Sequence, residues 1–147
     1  MEIKAITSLD SEWEKVISYA ENCSWSAGKN LSLLMKKEMF TEWERVLIAI
    51  EDGEIAGYCT VSKTDCIPNV EYTPYIGFMF VGEAYRGHRL SQKLIQNAMK
   101  YLKGLGFEKT YLVSDHINLY EKYGFYVIDK NWLLGKKKKK YIFRSYR

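Results

Sequence analysis

The distribution of apolar and polar residues along the chain predicts a succession of strands and helices. Alternation, or a short apolar run, predicts strands over residues 3–7, 46–50, 55–61, 75–81, 110–113, 125–128 and 141–143. Apolar residues at helical spacing predict helices over 11–22, from Leu31 to Met39, from Leu90 to Leu105, and over one or two turns at 117–123. We therefore expect one mixed α/β domain over residues 1–147, with a central, mostly antiparallel sheet of six or seven strands and about four flanking helices.

Local signals refine three of these elements. Ser11 and Glu14 stand at the spacing of a capping box, which predicts the start of the first helix. Asp52 and Gly53 lie between two strand-like runs, which predicts a hairpin. The strand at 75–81 is almost entirely apolar, as expected when both faces of a strand are buried.

The composition is that of an ordinary globular protein. The chain has 147 residues, of which 47% are hydrophobic and 27% are charged, enough for one core and a hydrated surface. No apolar run approaches the roughly 20 residues that a membrane-spanning helix needs. Met1–Lys4 carries mixed charge and lacks the layout of a signal peptide. We expect a cytoplasmic protein with no membrane partner.

The cysteines argue against a disulfide framework and against a metal site. The chain has three, Cys23, Cys59 and Cys66, with no Cys-x-x-Cys pair and only two histidines as further soft ligands. We expect no bound metal. A cysteine nucleophile at Cys59 or Cys66 is a minor alternative, because the sequence shows no base beside either residue.

The strand at 75–81 leads into a loop, Arg86–Ser91, and then into a helix. The first N–H groups of a helix lack partners and its dipole favours negative charge, so this arrangement is suited to an anion such as phosphate. Arg86 and Arg89 add positive charge, and Gly87 permits a close approach of the backbone. A plain surface turn would show the same local sequence.

A second segment of interest runs from Leu119 to Phe125. Gly124 suits a left-handed residue that ends a short helix, with Phe125 opening the next strand. Tyr120 is either a functional side chain or a core tyrosine.

Together the two segments resemble the GNAT superfamily of N-acetyltransferases. The cofactor loop of that family reads Gln/Arg-x-x-Gly-x-Gly/Ala, and Arg86–Ser91 occupies its place after Tyr85. The later family motif, Tyr-Glu-Lys-x-Gly-Phe, is matched at every fixed position by residues 120–125. Motif spacing and element order extend the resemblance over essentially the whole chain.

The resemblance implies an enzyme that moves an acetyl group from acetyl-CoA directly to a primary amine. Tyr120 would be the general acid that protonates the departing CoA thiolate, since a tyrosine is protonated at neutral pH. The strand at 75–81 would pair with the pantetheine arm of acetyl-CoA, and the loop Arg86–Ser91 would hold its pyrophosphate. The implied cofactor-binding residues are Met79, Phe80, Val81, Arg86, Gly87, His88, Arg89, Leu90, Ser91 and Asn118.

Two departures from the family pattern bear on the site. Arg89 replaces the middle glycine of the loop and Ser91 replaces its last small residue. Arg89 suits a helical backbone, whereas a positive φ there would require a different loop. The asparagine that the family often places seven residues before the tyrosine is Val113 here, and Asn118 or Ser114 is the expected substitute.

The acceptor amine must lose a proton before it attacks, because an alkyl amine with a pKa of about 10.4 is almost fully charged at neutral pH. Residue type favours His116 as the base, and Glu71 and Asp65 are alternatives. The non-catalytic interpretation of His116 is a loop histidine that makes only local hydrogen bonds. Trp25 and Trp132 are candidates either for the wall of an acceptor pocket or for the core.

The identity of the partners stays open at this level. The acceptor is expected to be a small-molecule or peptide amine, and the family suggests a homodimer. The net charge of +4 is concentrated in Lys136–Lys140, where a solvated hairpin tip is favoured over contacts with nucleic acid, an acidic peptide or the CoA 3′-phosphate. The alternative function is a regulatory domain of the same fold that senses acyl-CoA without turnover.

Overall fold

The computed structural model describes residues 1–66, 71–116, 118–132 and 139–146, and within them seven strands form one sheet. The strands are β1 (Glu2–Ile6), β2 (Arg45–Glu51), β3 (Glu54–Ser62), β4 (Tyr75–Val81), β5 (Tyr111–Ser114), β6 (Phe125–Trp132) and β7 (Lys139–Ser145). Their order across the sheet is β1-β2-β3-β4-β5-β7-β6, and every neighbouring pair is antiparallel except β4 and β5. The predicted mixed, mostly antiparallel α/β architecture is confirmed.

The helices lie on both faces of this sheet. They are α1 (Trp13–Asn22), α2 (Ala27–Lys36), α3 (Leu90–Gly104) and two 3-10 helices, Glu83–Tyr85 and Tyr120–Tyr123. The fourth helix predicted at 117–123 is therefore a single 3-10 turn, because Gly124 adopts a left-handed φ of 92° and ends it. The second helix ends before Met39, since Glu38 already has a positive φ of 54°.

The predicted capping box at Ser11 and Glu14 is wrong. Helix α1 begins at Trp13, and its N-cap residue makes no side-chain cap hydrogen bond. The turn before it is held instead by Asp10, whose carboxylate accepts the N–H of Thr7 at 2.8 Å. Because the helix begins at Trp13, Ser11 does not stand at its N-cap position.

Alternate residues of the central strands divide the core into two layers. One layer joins the sheet to α3 and includes Leu47, Cys59, Leu94 and Ala98. The other layer joins the opposite face to α1 and α2 and is formed by Val16, Ile17, Leu31, Met35, Ile48 and Tyr58. The period of two in the strands thus places successive side chains on opposite faces, as the sequence pattern indicated.

The hairpin between β2 and β3 follows the predicted turn chemistry. Asp52 and Gly53 have φ values of 49° and 78°, both in the left-handed region. Two such residues in a two-residue loop form the turn whose twist matches that of the flanking strands. The hairpin prediction is confirmed.

The parallel contact between β4 and β5 is short. Only Tyr75 and Tyr111 are in register, and the N–H of Tyr111 donates to Pro74 O at 2.9 Å. Beyond this point the centre of β4, Gly77 to Met79, is only partly buried. The all-apolar sequence of β4 predicted burial on both faces, but its central residues face an opening because β5 does not continue beside them.

A bulge reshapes β4 at the same place. The pairing of β3 with β4 shifts register between Tyr58 and Thr60, and Phe78 adopts a φ of 46°. A positive φ is uncommon for a bulky residue, and an extra residue in one strand re-aims the side chains around it. The bulge therefore turns the side chains of β4 where the sheet opens.

We predict that Gly28→Ala destabilises the protein by disturbing the contact between α1 and α2. A Cβ on Gly28 would lie 2.2 Å from Ala20 O and 2.7 Å from Cys23 Sγ. Overpacking of this kind costs about 1–3 kcal/mol of unfolding free energy, to be measured by urea denaturation.

Gly104→Ala is the matched control. A Cβ there meets nothing within 4 Å, and the residue ends α3. Alanine in a helix gains about 0.5–1 kcal/mol over glycine. A Gly28→Ala protein that unfolds at the same urea concentration as the wild type would contradict the packing described here.

Candidate active site

The loop between β4 and α3 presents unpaired backbone donors. Helix α3 begins at Leu90, and no side chain caps its N-terminus. Gly87 has a φ of 84°, and a Cβ built on it would meet nothing within 4 Å, so the backbone there is open to a ligand. The side chains from Arg86 to Arg89 are largely exposed. This arrangement fits the anion site predicted from the sequence.

Arg89 resolves the first departure from the expected loop. Its φ of 60° and ψ of 30° are left-handed. The loop thus keeps a glycine-type backbone although it carries an arginine. Holding a residue with a Cβ in this conformation costs about 1–2 kcal/mol.

Ser91, the second departure, connects the two sequence segments. Its Oγ lies 3.3 Å from the hydroxyl of Tyr123. Leu90 and Tyr120 also belong to the same hydrophobic cluster. The start of α3 and the 3-10 helix at Tyr120–Tyr123 are therefore packed side by side.

The end of β4 has a backbone edge that no described strand covers. Gly82 N–H donates to Ala56 O on β3 at 2.8 Å, so by alternation the backbone groups of Val81 face the opposite edge. There the Val81 carbonyl accepts a hydrogen bond from Arg86 Nε at 3.0 Å. The Arg86 guanidinium also lies over the ring of Phe80, 5.7 Å from its centroid.

The gap between β4 and β5 forms a cavity of about 530 Å³, here called the central cavity. It gathers polar side chains from separate elements against the partly buried centre of β4. Its walls include Trp25, Asp65, Met79, His116, Tyr120 and Lys140. A neighbouring cavity of about 320 Å³ is lined by Trp25, Met79, Phe80, Val81 and Arg86. Of the twelve predicted site residues, three therefore line the central cavity and three more line the neighbouring cavity. Five lie on the loop and at the start of α3, and Asn118 lies apart from both.

Tyr120 reaches the central cavity from a largely apolar setting. Its ring packs 5.8 Å from that of Phe143 and 6.4 Å from that of Tyr123. Burial raises the pKa of Tyr120 to about 12, with smaller contributions from Tyr123, Cys59 and Asp115. The hydroxyl is therefore protonated at neutral pH and able to donate.

His116 lies at the rim of the central cavity. Its side chain is 72% exposed, and Nε2 lies 3.4 Å from Asp115 Oδ1. Its backbone N–H donates to Ser114 Oγ at 3.0 Å. The predicted alternative of a locally bonded loop histidine describes this geometry well.

Asn118 stands apart from the cavities. It is exposed, with a φ of 68°, and its N–H donates to the carboxylate of Glu121 at 3.0–3.1 Å. Its backbone thus starts the 3-10 helix that carries Tyr120.

Asp65 is placed more centrally than the other candidate bases. Its Oδ2 lies 3.1 Å from the position a Cβ would take on Gly77, so the missing side chain makes room for this carboxylate on β4. Its Oδ1 accepts the N–H of Cys66 at 2.5 Å. Burial raises the pKa of Asp65. Glu71, by contrast, is exposed.

Trp25 forms a wall of the site. It stacks on Phe80 with ring centroids 6.2 Å apart and an interplanar angle of 3°, and it meets Phe78 edge-on at 6.2 Å. The side chain of Trp132 and residues 133–138, which include most of the predicted lysine run, lie outside the described residues.

Sequence reasoning missed Gly77 and Phe78. An isolated glycine within a strand is a recognised signal of a bulge or a close approach. Gly77 in the apolar run of β4 carried that signal. The positive φ of Phe78 had no counterpart in the sequence pattern.

The cysteine alternative loses support. Burial raises the pKa of Cys59 to about 12 and that of Cys66 to about 11. Both are therefore thiols at neutral pH, whereas the thiolate is the nucleophile.

The described residues contain neither a metal-binding cluster nor a membrane-spanning helix. No group of three or more His, Cys, Asp or Glu side chains is placed to hold a metal ion. No helix in the same residues has the length and apolar character to cross a bilayer.

Comparisons with known proteins point to one family. Residues 11–125 match the model of the Acetyltransferase (GNAT) family. No curated protein matches the chain.

Several solved structures share the fold. An aminoglycoside 6′-acetyltransferase type Ii aligns with a TM-score of 0.74 at 15% identity, over 99% of this chain and 96% of that one. An aminoglycoside 6′-N-acetyltransferase complexed with coenzyme A gives 0.71 at 13% identity, over 99% and 96%. A GNAT acetyltransferase from Streptococcus pneumoniae gives 0.70 at 15% identity, over 98% of both chains.

We predict that Arg89→Gly stabilises the protein while Arg89→Ala does not. Glycine adopts the left-handed conformation freely, so the change should raise the unfolding free energy by about 0.5–1 kcal/mol in urea denaturation. Arg89→Ala removes the same charge but keeps the Cβ. Equal stability of the two variants would show that the backbone conformation of residue 89 is not the source of the effect.

Proposed function

Since the chain belongs to the GNAT family of acetyltransferases, we propose that it transfers the acetyl group of acetyl-CoA directly to a primary amine. The carrying observation is the meeting of three features at the opening between β4 and β5. These are a backbone edge at Val81 that no described strand pairs and that only the Arg86 side chain contacts through the carbonyl, an uncapped N-terminus of α3, and the Tyr120 side chain on the central cavity.

The residues present fit acetyl-CoA. The N–H groups of the loop Arg86–Ser91 would hold the pyrophosphate, because this loop carries two arginines and leads into a helix start that no side chain caps. The N–H of Arg86 itself donates to Glu83 O at 3.4 Å in this structure. The backbone of Met79, Phe80 and Val81 would pair with the pantetheine arm as an added strand does. Asn118 is proposed as a further contact. The bound thioester supplies a carbonyl carbon open to nucleophilic attack.

Arg86 is proposed to exchange partners when acetyl-CoA binds. Its Nε now donates to the Val81 carbonyl, one of the groups that a pantetheine amide would use. A phosphate oxygen is a stronger partner for guanidinium than a carbonyl is. Arg86 would then release the Val81 carbonyl as its guanidinium binds a phosphate.

Tyr120 is proposed as the general acid. Its apolar surroundings keep the hydroxyl protonated, and it lies on the cavity where the thioester would end. Donating its proton to the sulfur makes the thiolate a better leaving group.

Two groups are candidates for the base that accepts the proton of the amine. His116 is the residue type favoured by the sequence, but it lies at the exposed rim. Asp65 lies against β4, and burial raises its pKa towards the range useful for a base. The geometry favours Asp65.

An arginine in place of the loop glycine would support the alternative of a non-catalytic acyl-CoA sensor if it changed the loop. That support is weak, because the loop keeps its left-handed backbone with Arg89 in place. The direct test is thiol release from acetyl-CoA with a panel of amines, beside calorimetry of acetyl-CoA binding. Tight binding without turnover on any amine would favour the sensor.

We predict that Tyr120→Phe lowers kcat by about 10²-fold, the usual contribution of a positioned acid. The affinity for acetyl-CoA should stay within about twofold, because phenylalanine preserves the ring packing. Since the pKa of Tyr120 is about 12, the wild type should show no loss of the acid on raising the pH from neutral to mildly alkaline. Tyr146→Phe is the control, since that side chain is 63% exposed and contacts Tyr126. Wild-type kcat in Tyr120→Phe would exclude the proposed role.

A further inference from the structure

A third cavity, of about 330 Å³, adjoins the central cavity. The two share the lining residues Asp65, Cys66, Gly77 and Phe78. The third cavity extends from this junction towards the end of α2, and we call it the α2 cavity. A molecule in the α2 cavity would therefore meet the central cavity at Asp65.

The walls of the α2 cavity are amphipathic. Leu34, Met39, Phe40 and Phe78 form an apolar side. The same lining includes Thr60, Ser62 and Thr64, which carry hydroxyls, and Glu44 and Asp65, which carry carboxylates. An occupant with a hydrocarbon stem and a polar end would match both kinds of group.

The charge of the α2 cavity is negative. Among its described lining residues Glu44 and Asp65 are acidic and none is basic. Lys140, whose charge acts on Asp65, lines the central cavity instead. Glu44 is held in position by the N–H of Lys63 at 2.8 Å and by that of Thr41 at 3.2 Å. The field inside this cavity favours a cation and opposes an anion.

The junction itself is built around the Asp65 carboxylate. Asp65 Oδ2 and Thr60 Oγ1 lie 3.1 Å and 3.2 Å from the position that a Cβ on Gly77 would occupy. The hydroxyl of Tyr75, a residue only 1% exposed, has no hydrogen-bond partner within the described chain, and Asp65 is among the charges that act on it.

We propose that the α2 cavity is the acceptor site and that the acceptor is an aliphatic primary amine without a carboxylate, a class that includes alkyl diamines. The ammonium would lie on Asp65 and the stem along Leu34, Met39 and Phe40. This inference rests on the proposed acetyl transfer and names its acceptor. Glu44 gives a second cationic group of a diamine a partner in the same cavity.

The proton balance of the transfer then assigns a role to Asp65 and to Tyr120. Asp65 takes one proton from the ammonium, and the neutral nitrogen forms a bond to the carbonyl carbon of the thioester. The carbon–sulfur bond breaks, and the sulfur leaves as a thiolate that takes the proton of Tyr120. The second proton of the nitrogen restores Tyr120, and Asp65 releases its proton to water.

The same walls disfavour bulkier polar acceptors. An aminoglycoside or a peptide N-terminus brings several hydroxyl or amide groups into the site. Groups that face an apolar wall lose their hydrogen bonds to water without replacement, which opposes binding.

The test compares an alkyl diamine with the ω-amino acid of the same chain length, which differs by one carboxylate in place of an amine. With the wild type and acetyl-CoA, kcat/KM should favour the diamine by about tenfold or more, because the carboxylate would face Glu44 or Asp65. Calorimetry without acetyl-CoA should show binding of the diamine and weaker binding of the amino acid.

Variants locate the effect. Asp65→Asn should lower kcat/KM for the diamine by about 10²-fold and weaken its binding, with acetyl-CoA affinity unchanged. Asp52→Asn, in the exposed turn between β2 and β3, removes an equal charge and should behave as the wild type. Thr64→Lys adds a cation at an exposed lining position and should reduce or reverse the preference, which keeps the test decisive if Asp65→Asn does not fold.

Equal rates and equal binding for the two amines, or a preference for an aminoglycoside, would overturn the proposal. Unchanged diamine binding in both Asp65→Asn and Thr64→Lys would do the same. A protein that neither binds acetyl-CoA nor releases thiol with any amine would refute the proposed function. Calorimetry of the two amines would then still decide whether this cavity prefers the diamine.

Discussion

The divergence of β4 from β5 is the constraint on which the site depends. A parallel pair that remained in register would satisfy its backbone groups internally and fill the space between the strands. Here one register pair, Tyr75 with Tyr111, joins the strands before they separate. The separation leaves a backbone edge at Val81, a cavity beside Tyr120, and a place for Asp65 on Gly77. Ligand pairing, proton donation and proton acceptance are thus all proposed at one opening.

The start of α3 adds the electrostatic part of the account. A helix N-terminus without a side-chain cap attracts an anion, and the loop before it keeps a left-handed backbone at Gly87 and Arg89. The hydrogen bond between Ser91 and Tyr123 joins this helix start to the segment that carries Tyr120. The proposed anion site and the proposed acid are therefore in contact through these elements, although they lie about thirty residues apart in sequence.

Much of the fold could be predicted because its signals are local. Alternation or a short apolar run identified each described strand to within about four residues, and the Asp52–Gly53 turn needed only two residues to specify its geometry. The loop before α3 was also predictable, since a glycine before a helix start is a local property. The capping box failed because α1 begins later than predicted, at Trp13.

The cavities could not be predicted, because they depend on where the sheet opens. Asp65 and Glu44 come from different loops and line one cavity with Gly77 only because tertiary structure brings these segments together. His116 was preferred as a base on residue type alone, which carries no information about exposure. The left-handed φ of Arg89 and Phe78 likewise reflects tertiary packing that overrides the preference of these residue types.

Hydrogen–deuterium exchange with and without acetyl-CoA would show whether the opening of the sheet is the binding site. If it is, the amides of Met79 to Val81 and of residues 87–91 exchange more slowly when acetyl-CoA is bound, and those of α1 are unchanged. Binding of acetyl-CoA that leaves the exchange of β4 unaltered would show that the cofactor binds elsewhere.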